Sequence, residues 1–331
     1  GVLGMIQGQR IVITGGGGFI GVALATRLAD ANDVVLCDLD FSRNAYAYSS
    51  LGDHPNVTCV RVDVLDADAV KRALTGAQVV VHLAGVVGVQ QVLANTSKTL
   101  AVTIQGTQNA LDAVQTHDIE RFVYQSTSEV YGVDAYDAVE TDSTPVGPND
   151  DPRWSYAASR VAAEHIVQSY HRERGLPTVI LRPFNVFGPG RVGDHAILRF
   201  IFQALNGDPL TVHNDGAALR AWCYIDDFVE GALLSLTQEG AVGQTFNIGA
   251  PRNTVTMYQL ACDIVKACES DSDITFQPIK HTDVHLRAPN VTKARDLLGY
   301  DPQVSLADSL RATVEWYREN AERIAPPFMS S

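Results

Sequence analysis

The chain is short of basic residues, and its charge is one-sided. Its 331 residues carry 25 Lys and Arg against 38 Asp and Glu, which gives a net charge of −13. Phosphate backbones and anionic bilayers attract basic surfaces, so neither nucleic acid nor a membrane is expected as a partner. A small anionic ligand is still allowed, because the charge of a local site can oppose the charge of the whole. The chain also lacks an apolar run of about 18 residues, so no membrane span is expected.

Cysteine is scarce, and its five positions have neither disulfide nor metal-ligand spacing: Cys37, Cys59, Cys223, Cys262 and Cys268. Most of them stand in apolar runs, which is typical of reduced and buried thiols. A signal-peptide pattern is not visible, and the start, Gly1 to Gly4 ahead of Met5, resembles a cloning remnant. We therefore expect a cytoplasmic protein that holds no metal ion.

The most informative motif is a glycine-rich turn that follows an apolar strand, R-I-V-I-T-G-G-G-G-F-I-G over residues 10–21. Gly15 permits a tight turn, Gly18 lets the backbone approach a phosphate, and Gly21 lets the next helix pack closely. The helix that follows offers free N–H groups and the positive end of its dipole to a pyrophosphate. Taken alone, this stretch also fits a flexible surface turn.

A second predicted strand, over 33–38, ends in Asp38 about twenty residues after the glycines. A carboxylate at this place binds the ribose hydroxyls of adenosine and repels a 2′-phosphate, so NAD is expected rather than NADP. The alternative is an ordinary solvated loop acid. A third strand, over 57–62, leads to Asp63 and Val64 at the same predicted edge.

A fourth strand, over 77–85, ends in a turn of small residues. The backbone of Leu83 and Ala84 could lie close to a dinucleotide there. His82 stands within the apolar run of this strand, and we interpret it as a hydrogen-bonded core residue rather than a catalyst.

Strands alternate with helical stretches from residue 10 to about 187, which predicts an α/β fold with a doubly wound parallel sheet of Rossmann type. Helices are expected over 18–29, 66–74, 95–116 and 156–174. After Gly188 the pattern becomes mixed and rich in turns, which indicates a smaller second domain over the carboxyl ends of the strands. The expected cofactor domain is 5–187 plus about 222–240, and the expected substrate domain is 188–221 plus 241–327.

The candidate catalytic pair is Tyr156 and Arg160, four residues apart on one predicted helix face. A cation beside a phenol stabilises the phenolate and lowers its pKa from about 10, which makes Tyr156 a candidate general base. Thr127, after the fifth strand, could hydrogen-bond the same substrate hydroxyl. Without further context, such a pair on a helix is often ordinary surface or core.

Several sequence motifs, which follow one another along the chain, indicate a more specific class of protein. They are T-G-G-G-G-F-I-G at 14–21, D-V at 63–64, H-L-A at 82–84, S-T-S-E-V-Y-G at 126–132, Y-A-A-S-R at 156–160, L-R-P-F-N-V-F-G-P-G at 181–190, R-A-W-C-Y-I-D-D-F at 220–228 and L-R-A-P-N-V-T-K-A-R-D-L-L-G-Y at 286–300. Together with Asp38 they resemble the extended short-chain dehydrogenases/reductases, in the group of nucleotide-sugar epimerases and dehydratases. The resemblance implies a Rossmann fold, NAD as cofactor and a UDP-sugar as substrate.

The resemblance also assigns roles by position. Tyr156 resembles the catalytic tyrosine, and Thr127 the residue that polarises the C4 hydroxyl of the sugar. Asn185, Arg220 and Arg287 resemble the residues that bind the diphosphate of the nucleotide sugar, a task that suits the forked donors of arginine.

Two positions depart from the family pattern. Arg160 stands where the family has lysine; it keeps the charge but is planar and cannot lose its proton. Thr103 stands where an asparagine is usual, which affects a contact near the cofactor rather than the chemistry.

The triplet Thr127-Ser128-Glu129 points to a subclass. In this family an acid at the position of Glu129 is typical of dehydratases and decarboxylases, because it can take the C5 proton once C4 is a ketone. Ser128 replaces the aspartic acid of 4,6-dehydratases, and a hydroxyl is a poor acid. These motifs alone indicate an NAD-dependent UDP-sugar dehydratase or decarboxylase, and the chain as a whole resembles a UDP-N-acetylglucosamine 5,6-dehydratase. The alternatives are a 4,6-dehydratase, a UDP-glucuronate decarboxylase, a 4-epimerase, or a catalytically silent NAD-binding partner.

The expected cofactor contacts are Gly15, Gly18, Phe19, Ile20, Gly21, Asp38, Asp63, Val64, Leu83, Ala84, Tyr156 and Arg160. The resemblance also implies a homodimer, in which the helices over 95–116 and 156–174 pair as a four-helix bundle. Ala162, Ile166 and Tyr170 recur every four residues and could supply its apolar stripe. Both helices could instead be amphipathic because they cover the sheet.

Overall fold

The computed structural model describes residues 6–86, 89–279 and 283–324. The segment Gly1 to Gly4 and residues 325–327 of the expected second domain lie outside these ranges. The strands are β1 Arg10–Thr14, β2 Asp33–Asp38, β3 Val57–Arg61, β4 Val79–His82, β5 Arg121–Gln125, β6 Asp134–Ala138, β7 Thr178–Pro183, β8 Val186–Phe187, β9 Leu210–His213, β10 Leu219–Ala221, β11 Cys223–Tyr224, β12 Thr245–Ile248, β13 Thr254–Thr256, β14 Ile274–Gln277 and β15 Leu286–Pro289.

The helices are α1 Phe19–Leu28, α2 Ala67–Leu74, α3 Val89–Ala94, α4 Thr96–Val114, α5 Trp154–Arg174, α6 Ala196–Asn206, α7 Ile225–Thr237, α8 Met257–Ala267, α9 Thr292–Leu298 and α10 Leu306–Asn320. Within the described ranges, no helix is both long enough and apolar enough to cross a bilayer.

The main sheet has seven strands in the order β12-β7-β5-β4-β1-β2-β3. Every pairing in it is parallel. The strand order reverses between β1 and β4, which creates the crevice where ligands bind in this class of fold. The predicted doubly wound Rossmann architecture is therefore confirmed.

Both faces of the main sheet are covered, as its continuous apolar strands require. Alternate residues of β1 enter different cores: Ile11 and Ile13 pack with Leu24 of α1 on one side. Val12 packs on the other side with Leu111 of α4 and with residues of α5. The period of two in the strand thus places one helix layer on each face.

The four predicted helices lie within two residues of their expected bounds. Asp66 caps α2 by accepting a hydrogen bond from the backbone of Ala69, and α5 ends at Gly175 in a left-handed conformation. Helix α5 begins two residues earlier than expected. Asp151 is the reason, because its side chain and carbonyl accept the N–H groups of Arg153 and Trp154 and turn the chain early.

A second sheet has four strands in the order β13-β10-β15-β6. Its pairs are parallel except for β10 with β13. The sheets do not follow the expected division of the chain. Strand β6 comes from the 5–187 segment but joins the second sheet, and β12 comes from the 241–327 segment but pairs with β7 in the main sheet. Helix α7, from the 222–240 segment, packs on β5 and β7 of the main sheet.

Asn247 of β12 joins the two sheets. Its side chain is fully buried and donates to the carbonyls of Ala138, at 2.8 Å, and Asn290, at 3.1 Å, at the ends of β6 and β15. Its Oδ1 accepts from the Tyr131 hydroxyl at 2.7 Å, and its backbone N–H donates to Glu140. One amide therefore ties an edge strand of the main sheet to the second sheet.

Candidate active site

The glycine turn between β1 and α1 is as tight as the sequence predicts. Gly15 has a φ of +66°, and a β-carbon there would lie 2.8 Å from the backbone nitrogen of Ala84 and 3.0 Å from the carbonyl carbon of Leu83. A β-carbon on Gly21 would lie 2.7 Å from Gly16. Larger residues would force β1, α1 and the end of β4 apart, so glycine is needed for this close approach.

The start of α1 has free backbone donors. Gly18 precedes the helix without a side-chain cap, and the half-buried Phe19 and Ile20 form its first turn. Asp63 is exposed at the end of β3, at the same edge of the sheet, while Val64 is buried and its carbonyl accepts a hydrogen bond from α4. An uncapped helix start of this kind binds anions.

Asp38 faces the glycine turn from the end of β2. Its Oδ2 accepts the N–H of Gly17 at 3.0 Å, and its Oδ1 accepts the N–H of Leu39 at 2.8 Å. Burial raises the pKa of Asp38, and these two backbone hydrogen bonds oppose the rise. The glycine turn and this carboxylate together fit a dinucleotide whose adenosine ribose carries no 2′-phosphate.

Tyr156 and Arg160 lie together on α5, as their spacing predicts. The Arg160 Cζ is 5.2 Å from the centre of the Tyr156 ring. Arg160 is 1% exposed, and its Nη1 donates to the carbonyl of Gln125 at 2.8 Å and to the hydroxyl of Tyr124 at 3.3 Å. Burial disfavours the guanidinium charge, but Tyr156 and Tyr124 outweigh it and raise the pKa of Arg160. The arginine therefore stays charged between two phenols.

The turn after β5 brings the predicted triplet to the carboxyl edge of the main sheet. Thr127 and Ser128 are buried, and residues Ser128–Tyr131 form a single 3-10 turn that packs against α5. The Thr127 Oγ1 accepts the N–H of Glu129 at 3.1 Å. The threonine thus caps the turn, and its hydroxyl keeps a hydrogen to donate.

Arg287 of β15 reaches this turn from the second sheet. It is 2% exposed, and its Nη1 donates to Glu129 Oε1 at 2.9 Å and to Ser128 Oγ at 3.5 Å. Its Nη2 donates to the carbonyl of Gly132. Burial raises the pKa of Glu129, but the positive charges of Arg287 and Arg153 outweigh burial and lower it. Glu129 is therefore a carboxylate at neutral pH.

The other two predicted substrate residues lie nearby. Arg220 pairs with Arg287 in the register of β10 and β15, and its Nη2 is 3.4 Å from Asp283 Oδ1. Burial lowers the pKa of Arg220 to about 10, with Asp283 opposing the change. Asn185 follows β7 with a φ of +44°, and its amide donates to the carbonyl of Ala221 at 3.1 Å. The structure thus gathers several arginines around Glu129 in an otherwise acidic protein.

Comparison with known proteins identifies the family. A sequence model described as the NAD dependent epimerase/dehydratase family matches residues 11–249. This segment holds the glycine turn, Asp38, Glu129 and Tyr156. The chain belongs to the NAD-dependent epimerase/dehydratase family.

Three similar proteins illustrate the range of activities. A UDP-N-acetyl-α-D-glucosaminuronate decarboxylase from Bacillus cytotoxicus is 32% identical over 94% of this chain and 98% of that protein. A UDP-glucuronic acid 4-epimerase from Bacillus cereus, solved with UDP-glucuronic acid and NAD, has a TM-score of 0.85 at 29% identity, covering 94% and 99% of the two chains. A dTDP-glucose 4,6-dehydratase from Streptomyces venezuelae, solved with NAD bound, has a TM-score of 0.84 at 31% identity, covering 96% and 99%.

These findings establish the general class of the protein. Its relatives are NAD-dependent dehydratases, decarboxylases and epimerases of nucleotide sugars, and NAD is the cofactor. The family alone does not distinguish among these reactions.

Three residues of this epimerase/dehydratase chain join the site without a sequence signal. Tyr124 contacts Arg160 from β5, and Arg153 acts on the charge of Glu129. Arg191 donates to the carbonyl of Val186, and burial lowers its pKa while the nearby Tyr317 and Tyr156 raise it. None of the three stands within a motif, and only the tertiary fold brings them to the site.

His82 of β4 and Thr103 of α4 lie in the interior of the expected cofactor domain. His82 is fully buried between the hydroxyls of Thr14, at 2.7 Å, and Thr107, at 3.2 Å, and burial lowers its pKa to about 3. Its interpretation as a core histidine is confirmed. Thr103 is also fully buried, and its Oγ1 has no hydrogen-bond partner in the described part of the chain.

Proposed function

We propose that this chain is a UDP-sugar 5,6-dehydratase that converts UDP-N-acetylglucosamine to the 6-deoxy-5,6-ene sugar and water. The observation that carries the proposal is the ionised Glu129, which directly follows the buried Thr127 and Ser128. The resemblance of the chain to the UDP-N-acetylglucosamine 5,6-dehydratase of tunicamycin biosynthesis supports the choice of substrate.

The first half of the proposed reaction oxidises C4. Tyr156 accepts the proton of the C4 hydroxyl, and Thr127 donates its hydroxyl hydrogen to the same oxygen. Arg160 places its positive charge beside Tyr156, with its Cζ 5.2 Å from the ring centre. The glycine turn and Asp38 would hold NAD, which would supply a hydride acceptor for C4 and the hydride that later reduces it.

The second half removes water. A ketone at C4 acidifies the C5 proton, and Glu129 accepts it. The C6–O bond then breaks as the C5–C6 double bond forms. The C5 proton and the C6 hydroxyl leave together as water. When C4 is reduced again, Tyr156 returns its proton to the C4 oxygen.

Ser128 favours release of the alkene over its further reduction. A 4,6-dehydratase must protonate C5 after hydride reaches C6, and a carboxylic acid can supply that proton. Ser128 offers only a hydroxyl, whose sole described hydrogen bond is a long one of 3.5 Å from Arg287. An enzyme that stops at the 5,6-alkene needs no such acid.

A decarboxylase is the second candidate, favoured by one feature of Arg287. The Nε of this buried side chain has no hydrogen-bond partner among the described residues, so it could receive the carboxylate of a UDP-uronate. A decarboxylase that acts on such a sugar is also among the relatives. In that case the C5–C6 bond of the 4-keto sugar would break and release carbon dioxide.

One experiment separates these functions. The protein is incubated with UDP-N-acetylglucosamine, UDP-glucose or UDP-glucuronate, and products are followed by NMR and mass spectrometry. We expect UDP-N-acetylglucosamine to lose water and to show a pair of vinylic protons. Release of carbon dioxide from UDP-glucuronate would replace this proposal by the decarboxylase. Inversion at C4 would indicate an epimerase, and no turnover with tight NAD binding would indicate the silent partner.

We also propose that the chain forms a homodimer through α4 and α5. These helices pack on each other, and Ala162 and Ile166 are only half-buried within the chain. Tyr170 is buried and bonds to Asp112 of α4, so it supports the helix pair itself. Light scattering at micromolar concentration should give twice the mass of the chain, and a single-chain mass would reject the dimer.

A further inference from the structure

Gly85 lies directly against Arg160. It follows β4 by three residues, next to the Leu83 and Ala84 backbone that touches the glycine turn. A β-carbon built on Gly85 would overlap Arg160 Nη2 and lie 3.1 Å from Cζ. The φ of Gly85 is outside the left-handed region, so its backbone would accept alanine. The Arg160 guanidinium therefore occupies the space that a side chain at this position would need.

Residues of β5 contact the Arg160 guanidinium as well. On its other side, Nη1 is bonded to Tyr124 and to the carbonyl of Gln125, and Cζ is 5.9 Å from the Tyr124 ring centre. Arg160 is among the largest fully buried side chains of the described molecule. A planar guanidinium is wider than an ammonium, so extra space is needed beside α5 for arginine. Gly85 provides that space.

We propose that Gly85 is a positioning residue, which holds the Arg160 guanidinium beside Tyr156 by leaving room for it. The proposal rests on the proposed role of Tyr156 as the base. A methyl group at position 85 would push the guanidinium away from the phenol. The positive charge would then lie farther from the phenol oxygen that takes part in the proposed proton transfer. Gly85 and Arg160 thus act as a pair, and lysine at position 160 would relieve the need for glycine.

The test is a cycle of Gly85→Ala, Arg160→Lys and the double variant. Gly85→Ala alone should shift the pH–rate profile by about one pH unit toward alkaline values. The same alanine should change the profile little in the Arg160→Lys background, since the narrower ammonium can turn aside. Gly240→Ala is the matched control, because its β-carbon would lie 3.6 Å from the nearest atom, and it should behave as wild type.

A second readout does not need the sugar. The phenolate is titrated by ultraviolet difference absorbance against Tyr156→Phe, and thermal unfolding is measured for wild type and the three variants of the cycle. If wild type turns over no UDP-sugar but Gly85→Ala still shifts the titration, the proposed function fails and the role of Gly85 stands. If Gly85→Ala does not fold while the double variant does, the pairing is also supported.

The proposal is overturned by either of two results. One is a Gly85→Ala protein whose pH profile and phenolate titration match wild type. The other is an alanine effect, on titration or on folding, that is equal in the wild-type and Arg160→Lys backgrounds, since Gly85 would then serve something other than Arg160.

Discussion

Arg220 and Arg287 lie opposite each other on the neighbouring parallel strands β10 and β15. Residues paired in this way point to the same face of a sheet, so both side chains lie on one face of the second sheet. Their anchors differ, because Arg220 is held by Asp283 and Arg287 by Glu129. Of these two arginines, Arg287 is the one that forms an ion pair with the proposed base.

Arg287→Gln should move the acid limb of the kcat profile to higher pH. Arg287 helps to lower the pKa of Glu129, so its removal raises that pKa, and a more alkaline solution is then needed to ionise the base. The initial rate across pH checks this. Arg220→Gln is the control, since its effect on Glu129 is the smaller one. Equal shifts in both variants would contradict a specific pairing of Arg287 with Glu129.

Glu129→Gln should separate oxidation from elimination. Tyr156, Thr127 and the cofactor site are unchanged, so 4-keto sugar and NADH should accumulate. Proton removal from C5 should slow by about 10²–10⁴-fold, because an amide is not a base. Deuterium exchange at C5 and NADH absorbance measure the two steps. The exposed Glu120→Gln serves as control. Wild-type exchange and alkene release in Glu129→Gln would exclude this carboxylate as the base.

Asp38→Ala should weaken NAD binding and narrow the preference for NAD over NADP. The carboxylate that faces the glycine turn repels a 2′-phosphate, and its loss removes both the ribose contact and the repulsion. Fluorescence titration with each dinucleotide gives the two Kd values. Asp40→Ala is a matched control, because Asp40 is exposed and bonds to Ser42 instead. Tighter binding of NADP than of NAD by the wild type would refute the assignment.

Glu164→Gln should strongly destabilise the fold. Glu164 and Arg182 form a bidentate pair with side chains 9% and 7% exposed, and the variant leaves a buried guanidinium without its counter-ion. Breaking such a pair costs about 3–5 kcal/mol of unfolding free energy. The exposed pair of Arg10 and Asp33 gives the control, and Asp33→Asn should cost less than about 1 kcal/mol. Urea unfolding compares the two, and similar losses would contradict the role of burial.

The strands and helices of the expected cofactor domain were largely predictable, because the sequence patterns that specify them are local. Apolar strands followed by glycine, and helices with capping residues such as Asp66, specify their own bounds. Arg160 beside Tyr156 also follows from helical spacing. The partners of Arg160 do not, since Tyr124 lies in β5 and Gly85 lies in the segment after β4. Likewise β6 and β12 were not predicted from the sequence, and the sheet that each joins depends on contacts far away in the sequence.

The buried amide of Asn247 connects the main sheet to one side of the second sheet. It bonds to the carbonyls of Ala138 and Asn290, at the ends of β6 and β15. Strand β10 lies farther from this point than β15. Arg287 therefore lies on a strand whose end is bonded to the main sheet, and Arg220 lies one strand farther from that bond.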